Sequence, residues 1–303
     1  MTNNDLLNYH ELNLKSVSQM TSLRGRIDPA YLKPQVIQQI GEQSSFFGLL
    51  YLIGLEQKLK INSDRNFDQF FKGAFYKRKT PFLIGVSGAV SVGKSTFAKN
   101  LAASLRQINP NARIEVVSTD NFLYSNTELM QKDLMEKKGF PESFDNQKLW
   151  QFLINAASFN EVQEIPIYDH QTYDILTNKQ QKVRAADFLI IEGINAFQIN
   201  PLNQLPFCET MDITIYLNAS NEAILDWFVQ RFDQLLDKAT PGSFYEQYAK
   251  MDRNTANKLA LATYAQINQP NFEQNIAPSL KRAKIIIQFE AGHQIKQILM
   301  RDY

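Results

Sequence analysis

Residues Gly88-Ala89-Val90-Ser91-Val92-Gly93-Lys94-Ser95 match G-x-x-x-x-G-K-[ST] in full, and no other feature of the chain restricts its fold so strongly. The apolar stretch from Phe82 to Val86 leads into this loop, and the helix-compatible TFAKNLAASLRQ leads out of it. The motif needs that setting. Glycines let backbone N–H groups converge on one point, and the helix that follows adds its positive N-terminal end, so the turn accepts phosphate oxygens. Lys94 supplies a point charge suited to β- and γ-phosphates, and the Ser95 hydroxyl is placed for the Mg2+ that accompanies a nucleotide. The expected nucleotide-binding run is therefore Gly88, Ala89, Val90, Ser91, Val92, Gly93, Lys94, Ser95 and Thr96. A bound triphosphate follows from this spelling, but a reaction does not.

Around the loop the chain alternates short apolar runs with helical stretches: FLIGVS, RIEVVST, DFLIIEG, DITIYLN and AKIIIQF. Near-continuous apolar runs suit strands covered on both faces. Their alternation with helices predicts an α/β fold, a mostly parallel central sheet flanked by helices and built from right-handed crossovers, with its ligand at the carboxyl ends of the strands. Residues 1–80 show helical periodicity at Ile37, Ile40, Phe46, Phe47, Leu50, Tyr51 and Leu55 and read as a helical extension packed on a phosphate-loop domain over 81–303. Two intervals, about 147–186 and 227–278, are too long for simple crossovers and read as insertions that carry substrate specificity.

A length of 303 residues with 44% hydrophobic content permits a full core. Lys plus Arg (32) nearly balances Asp plus Glu (31), and a net charge of +1 calls for no nucleic-acid partner. Cys208 is the single cysteine, which excludes an intramolecular disulfide framework and multi-cysteine metal sites. No apolar run approaches the ~18 residues of a membrane span, and the first residues do not read as a signal peptide, so a cytoplasmic protein is expected.

Phosphoryl transfer needs a carboxylate beside the acceptor hydroxyl. Asp120 closes the run IEVVSTD and is the candidate base, the alternative being an Asx-turn or helix-capping aspartate. Glu192 closes the run DFLIIE, an apolar strand ending in an acid, and is the candidate metal-side carboxylate; a structural salt bridge is its alternative. Arg231, in DWFVQRFDQLL, is the candidate cation for the transferring group, against the reading of a solvated helix arginine.

With these residues in place, the chain resembles the bacterial type I pantothenate kinases from the phosphate loop to the C-terminus. The segments that carry the resemblance are GVSGAVSVGKST, STDNFLYSN, KKGFPESFD, PIYDHQTYDI, DFLIIEGINAFQ, RF at 231–232, YAK at 248–250 and QNIAPSLKRAKIII. It implies ATP-dependent phosphorylation of the primary hydroxyl of pantothenate, with coenzyme A as feedback inhibitor and a homodimeric assembly. It also implies that Asp120 is the catalytic aspartate, that Lys94 and Arg231 act on the γ-phosphate, and that Tyr168, His170, Tyr173 and Asn275 line the pantothenate and coenzyme A pocket. From the residues alone, His170 could be a loop histidine, the tyrosines insertion core, and Asn275 a turn cap.

Four departures from the family pattern bear on that reading. Asn121 follows the aspartate where glycine is usual, a residue that tolerates a left-handed backbone. Phe228 stands where a tyrosine is usual, Lys99 where an arginine is common, and the segment from Asp237 to Tyr248 is shorter. Loss of the tyrosine hydroxyl keeps two alternatives open: a related kinase for a nucleoside or sugar phosphate, or a catalytically silent sensor that binds coenzyme A or nucleotide. In GFPESFD, Gly139 and Pro141 indicate a structured loop to which no chemistry is assigned.

Overall fold

A computed structural model describes residues 9–11, 44–71, 80–158 and 161–301. The helical periodicity at Ile37 and Ile40, like the rest of the expected extension before residue 44 apart from 9–11, which form a strand, and like 72–79, lies outside the described residues. Within them, β1 (Tyr9–Glu11) is followed by the 27-residue helix α1 (Ser44–Phe70).

All five apolar runs form strands of one sheet. They are β2 (Phe82–Gly88), β3 (Ile114–Ser118) and, after a separate hairpin of β4 (Gln163–Asp169) and β5 (Asp174–Val183), β6 (Phe188–Glu192), β7 (Ile213–Asn218) and β8 (Ile285–Glu290). The sheet continues with β9 (Gln294–Arg301), and its order is β1-β9-β8-β7-β2-β6-β3. From β3 to β8 every pairing is parallel; β9 runs antiparallel to both β8 and β1. This antiparallel edge and the β4–β5 hairpin were not expected. Both contain amphipathic or polar strands whose alternation is weak, QIKQILMR and DILTNKQQKV among them, so periodicity alone does not separate them from loops.

Every residue of β2 and β6 is buried, as a sheet covered on both faces requires. Alternate side chains then serve different layers. Ile84, Val86, Ile190, Ile215 and Leu217 meet α1 and α2 (Lys94–Ile108) through Leu49, Ile53, Ala98 and Leu101. After the short α3 (Asn126–Gln131), helix α4 (Asn146–Ser158) covers the opposite face, where Leu83, Val117, Leu189 and Ile191 meet Leu149, Phe152 and Leu153. The chain then adds α5 (Asn221–Asp237), whose first turn is capped by Ser220 Oγ accepting from the Ala223 N–H, followed by α6 (Glu246–Ala249) and α7 (Arg253–Thr263).

Two ion pairs attach α1 at the amino-terminal side of the sheet. Lys60 Nζ lies 2.7 Å from Asp212 Oδ2 and also donates to the Pro81 carbonyl, while Lys284 Nζ lies 3.0 Å from Glu56 Oε1. Asp212 Oδ2 additionally accepts the Leu83 N–H at 2.7 Å. The functional candidates lie at the other end of the strands.

Candidate active site

The register of the sheet assembles the site. Glu192 is the partner of Val86 on one side and of Ser118 on the other, so β2, β6 and β3 end together and deliver Gly88, Glu192 and Asp120 to one edge. Two close approaches tighten this edge. Gly88 has φ 146°, and a Cβ there would lie 2.4 Å from the Leu217 carbonyl oxygen; Gly193 has φ 150°, and its Cβ would lie 1.7 Å from Thr119 Oγ1. Neither position accepts a side chain without displacing backbone or the threonine beside Asp120.

The loop itself turns through Ser91 at φ 64°, an uncommon conformation of the kind that clusters at functional sites, and α2 begins at Lys94 with Gly93 as its N-cap. Lys94 Nζ donates to the carbonyls of Gly88 (3.1 Å) and Ala89 (2.7 Å). Burial pushes its pKa down to about 8, opposed by the charges of Glu192 and then Asp120, with Arg231 adding to the depression. Ser95 Oγ donates to Glu192 Oε1 at 2.9 Å. Glu192 is 5% exposed, and burial holds its carboxyl above the ordinary range, with Asp120 adding to the rise while Lys94 and the hydroxyls of Ser95 and Ser118 oppose it.

Asp120 lies in the tight helical turn Thr119–Phe122 that follows β3, its N–H reaching Ser118 Oγ at 3.3 Å. Asn121 adopts the helical backbone of this turn, so the left-handed tolerance expected of it is not used. Its side chain instead crosses to the β4–β5 hairpin, where Oδ1 accepts the Tyr168 N–H at 2.9 Å and Nδ2 donates to Gln181 Oε1 at 3.1 Å.

That hairpin carries the expected pocket residues. Tyr168 and His170 rings meet edge-on at 5.2 Å, Tyr168 and Tyr173 at 6.1 Å, and Tyr173, at φ 56°, stacks on Phe244 with centroids 4.5 Å apart. Arg231, exposed on α5, brings Nη2 to 3.5 Å from His170 Nε2. Burial lowers the His170 pKa; Asp120 opposes the shift and Arg231 adds to it. Asp120, Lys94, Glu192, Arg231, His170, Tyr168 and Tyr173 therefore share one electrostatic neighbourhood. Asn275 lies in a wide helical turn over Phe272–Ile276: its Nδ2 donates to Asn271 Oδ1, and Asn271 Nδ2 donates to the carbonyl of Gly139, the residue after Lys138.

Two further residues enter the site that sequence reasoning passed over. Lys138, in the block given no chemistry, is 8% exposed, and its Nζ lies 4.1 Å from the Tyr173 ring centroid and 5.1 Å from that of Tyr168 while donating to the Tyr173 carbonyl and Asn126 Oδ1. Burial pushes it down to about 8, against the pull of Asp174 and Asp120. A lysine immediately before a turn glycine was the available signal, though a solvated surface reading fits the same spelling. His293, at the β8–β9 turn, stacks on Trp227 at 3.7 Å and hydrogen-bonds the Ser91 backbone beside the phosphate loop. No motif marks it. Phe228 is half-buried one turn before Arg231, edge-on to Tyr264 with centroids 4.9 Å apart.

The family described as phosphoribulokinase/uridine kinase matches residues 83–296, from the second residue of β2 into β9. The chain belongs to the phosphoribulokinase/uridine kinase family. Among curated members, the protein named pantothenate kinase of Lactococcus lactis subsp. cremoris (strain SK11) is 40% identical over 240 residues, covering 77% of this chain and 78% of that one. The pantothenate kinase of Limosilactobacillus reuteri is 37% identical over 238 residues, with the same coverage of each chain. D-glycerate 3-kinase of Cryptococcus neoformans shares the fold at a TM-score of 0.57 and 14% identity, over 82% of this chain and 98% of its own. The matched span takes in the parallel sheet, the loop at its edge, the β4–β5 hairpin and α5 to α7.

Proposed function

We propose that the chain is a pantothenate kinase, transferring the γ-phosphoryl group of ATP to the primary hydroxyl of pantothenate as the first step of coenzyme A synthesis. The observation that carries this reading is the meeting of the phosphate loop with Asp120 under a hairpin of Tyr168, His170 and Tyr173, in a chain whose relatives at 37–40% identity bear that name. In the proposed reaction the backbone of Gly88 to Thr96 and the amine of Lys94 hold the triphosphate. Asp120 takes the proton of the acceptor hydroxyl as its oxygen bonds to the γ-phosphorus, and the bond to the β-phosphate oxygen breaks with its electron pair leaving on ADP. Arg231 and Lys138 offset charge at the transferring group and at the pantothenate carboxylate. The ring of Tyr168, beside the stacked pair Tyr173 and Phe244, suits an aliphatic acceptor, and the amide of Asn275 is proposed to serve its polar end.

Magnesium fits the residues present. The Ser95 hydroxyl and Glu192 carboxylate form a hydrogen-bonded oxygen pair, and this ion takes few protein ligands because waters and phosphates fill its octahedron. Ser95 and Glu192 would hold the ion, which would supply positive charge to offset that of the phosphates.

Coenzyme A is proposed as a competitor for the same pocket, supported by Lys99, whose charge reaches His170. A homodimer is supported by the apolar exposed positions Leu59, Ile61, Phe67 and Phe70 on α1. The proposed cytoplasmic location rests on the enzyme class; no described helix is long and apolar enough to cross a membrane. The residue division is likewise a proposal: an extension over 1–80, a kinase domain over 81–303, and specificity in its two insertions.

The test is a coupled assay of ADP release with and without pantothenate, repeated with coenzyme A. Turnover strictly dependent on pantothenate, and lost in Asp120→Asn with folding retained, is the expected result. Near-normal turnover in that variant would remove Asp120 from its role. Phe228, which brings no hydroxyl to the pocket, favours one second reading, a kinase of another small hydroxyl substrate. Turnover with a nucleoside or sugar phosphate, and none with millimolar pantothenate, would establish it, whereas tight coenzyme A binding without any phosphoryl transfer would mark a sensor.

A further inference from the structure

The side chain of Asn121 bridges the two halves of the site. It follows Asp120 in the turn after β3, it is 6% exposed, and both ends of its amide are engaged on the hairpin. The linkage closes into a ring of contacts. Gln181, which accepts from Asn121 Nδ2, donates through its own Nε2 to the Val116 carbonyl at 2.9 Å, so β5 is tied back to β3, the strand that leads to Asp120. The pairing of β4 with β5 is interrupted between Pro166 and Tyr168, and the Tyr168 N–H finds its acceptor in Asn121 at that break. Tyr168 and His170, two residues on, are thus placed by a side chain adjacent in sequence to the carboxylate they must face.

We propose that Asn121 is a positioning residue that fixes the separation between the Asp120 carboxylate and the acceptor bound under the β4–β5 hairpin, with Gln181 as its second anchor. This rests on the kinase reading above. An amide suits the task because it supplies an acceptor and a donor on one rigid plane, which glycine, serine or alanine does not. Small displacements matter here: an error of about 1 Å between reacting groups costs on the order of a hundredfold in rate. None of the hydrogen bonds of this link is made to β2, β6 or α2, on which the nucleotide half of the site is built.

The test compares Asn121→Ala and Gln181→Leu with the unmodified enzyme, together and separately. The expected result is a fall of about tenfold or more in kcat/KM for pantothenate, with KM for ATP unchanged within about twofold and a rise in acceptor-independent ATP hydrolysis relative to transfer. The double variant should lose little more than either single one, because both cut the same link. Wild-type acceptor kinetics in both variants, or a parallel loss of ATP and acceptor parameters that merely tracks a lower Tm, would overturn the proposal. Gln181→Leu is the nearer to solvent and serves alone if Asn121→Ala does not fold. Absence of pantothenate turnover in the unmodified enzyme would sink the functional reading without touching the clamp. The clamp is then read from hydrogen exchange: faster exchange of the Tyr168 amide in Asn121→Ala with β2 amides unaltered supports it, and unaltered Tyr168 exchange rejects it.

Discussion

Burial of Lys94 and Lys138 has a consequence that can be followed by pH. Both amines are pushed down to about 8, so in the free enzyme each loses its charge as pH rises through that value. The Lys94 charge is needed for the triphosphate, so kcat/KM for ATP should fall above pH ~8, approaching tenfold per pH unit, while kcat stays level to higher pH because bound phosphate favours the protonated amine. A steady-state profile between pH 6 and pH 10 checks this. A flat kcat/KM would show that the Lys94 charge is not used in nucleotide capture. The same residue marks what a sequence conveys and what it withholds. Lys94, Ser95 and the glycines were legible because the phosphate loop is contiguous, and Asp120 and Glu192 because each ends an apolar strand. Lys138 and His293 were not, because their roles arise from burial under Tyr173 and against Trp227, contacts between residues distant in the chain. For Asn121 the sequence raised a question of backbone conformation, and the structure answers it with a side-chain bridge.

At the scale of elements, the strand ends of β3 and β6 are held together by the absence of a side chain. A Cβ at Gly193 would fall 1.7 Å from Thr119 Oγ1, at a backbone angle that L-residues rarely adopt. Gly193→Ala should therefore destabilise by roughly 2–5 kcal/mol and displace the Asp120 turn, lowering kcat beyond what the lost stability accounts for. Chemical denaturation with parallel kinetics on the folded fraction checks this, and a variant with unaltered stability would show that the threonine yields easily. The five parallel strands were readable as elements because each carries a near-continuous apolar run, complete in β2 and β6, which are buried throughout. The β4–β5 hairpin escaped notice because it is held by Asn121 and by the burial of only Ile165 and Val183 in the core beneath α4, rather than by its own alternation.

Across the whole molecule, attachment and chemistry occupy opposite ends of the sheet. Lys60, Asp212 and the Leu83 N–H form a knot at the amino-terminal side, remote along the strands from Asp120 and the phosphate loop. Asp212→Ala should cost about 1–3 kcal/mol by leaving the Leu83 N–H without its acceptor and the Lys60 amine with the Pro81 carbonyl alone, a Tm decrease of roughly 2–5 °C, with kcat/KM for both substrates unchanged. Scanning calorimetry beside the coupled assay measures the two separately, and a loss of activity in the folded variant would show that α1 communicates with the site. A different consequence belongs to β3, the outermost parallel strand. Its outward carbonyls at Ile114 and Val116 are occupied by Arg106 and Gln181. An open strand edge invites another chain to add to the sheet, and side chains laid along it are a recognised protection against aggregation. Since Gln181 also holds the hairpin, sequence drift that loosens the pocket would at the same time uncover a sticky edge, so variation in specificity and loss of solubility are linked through one glutamine.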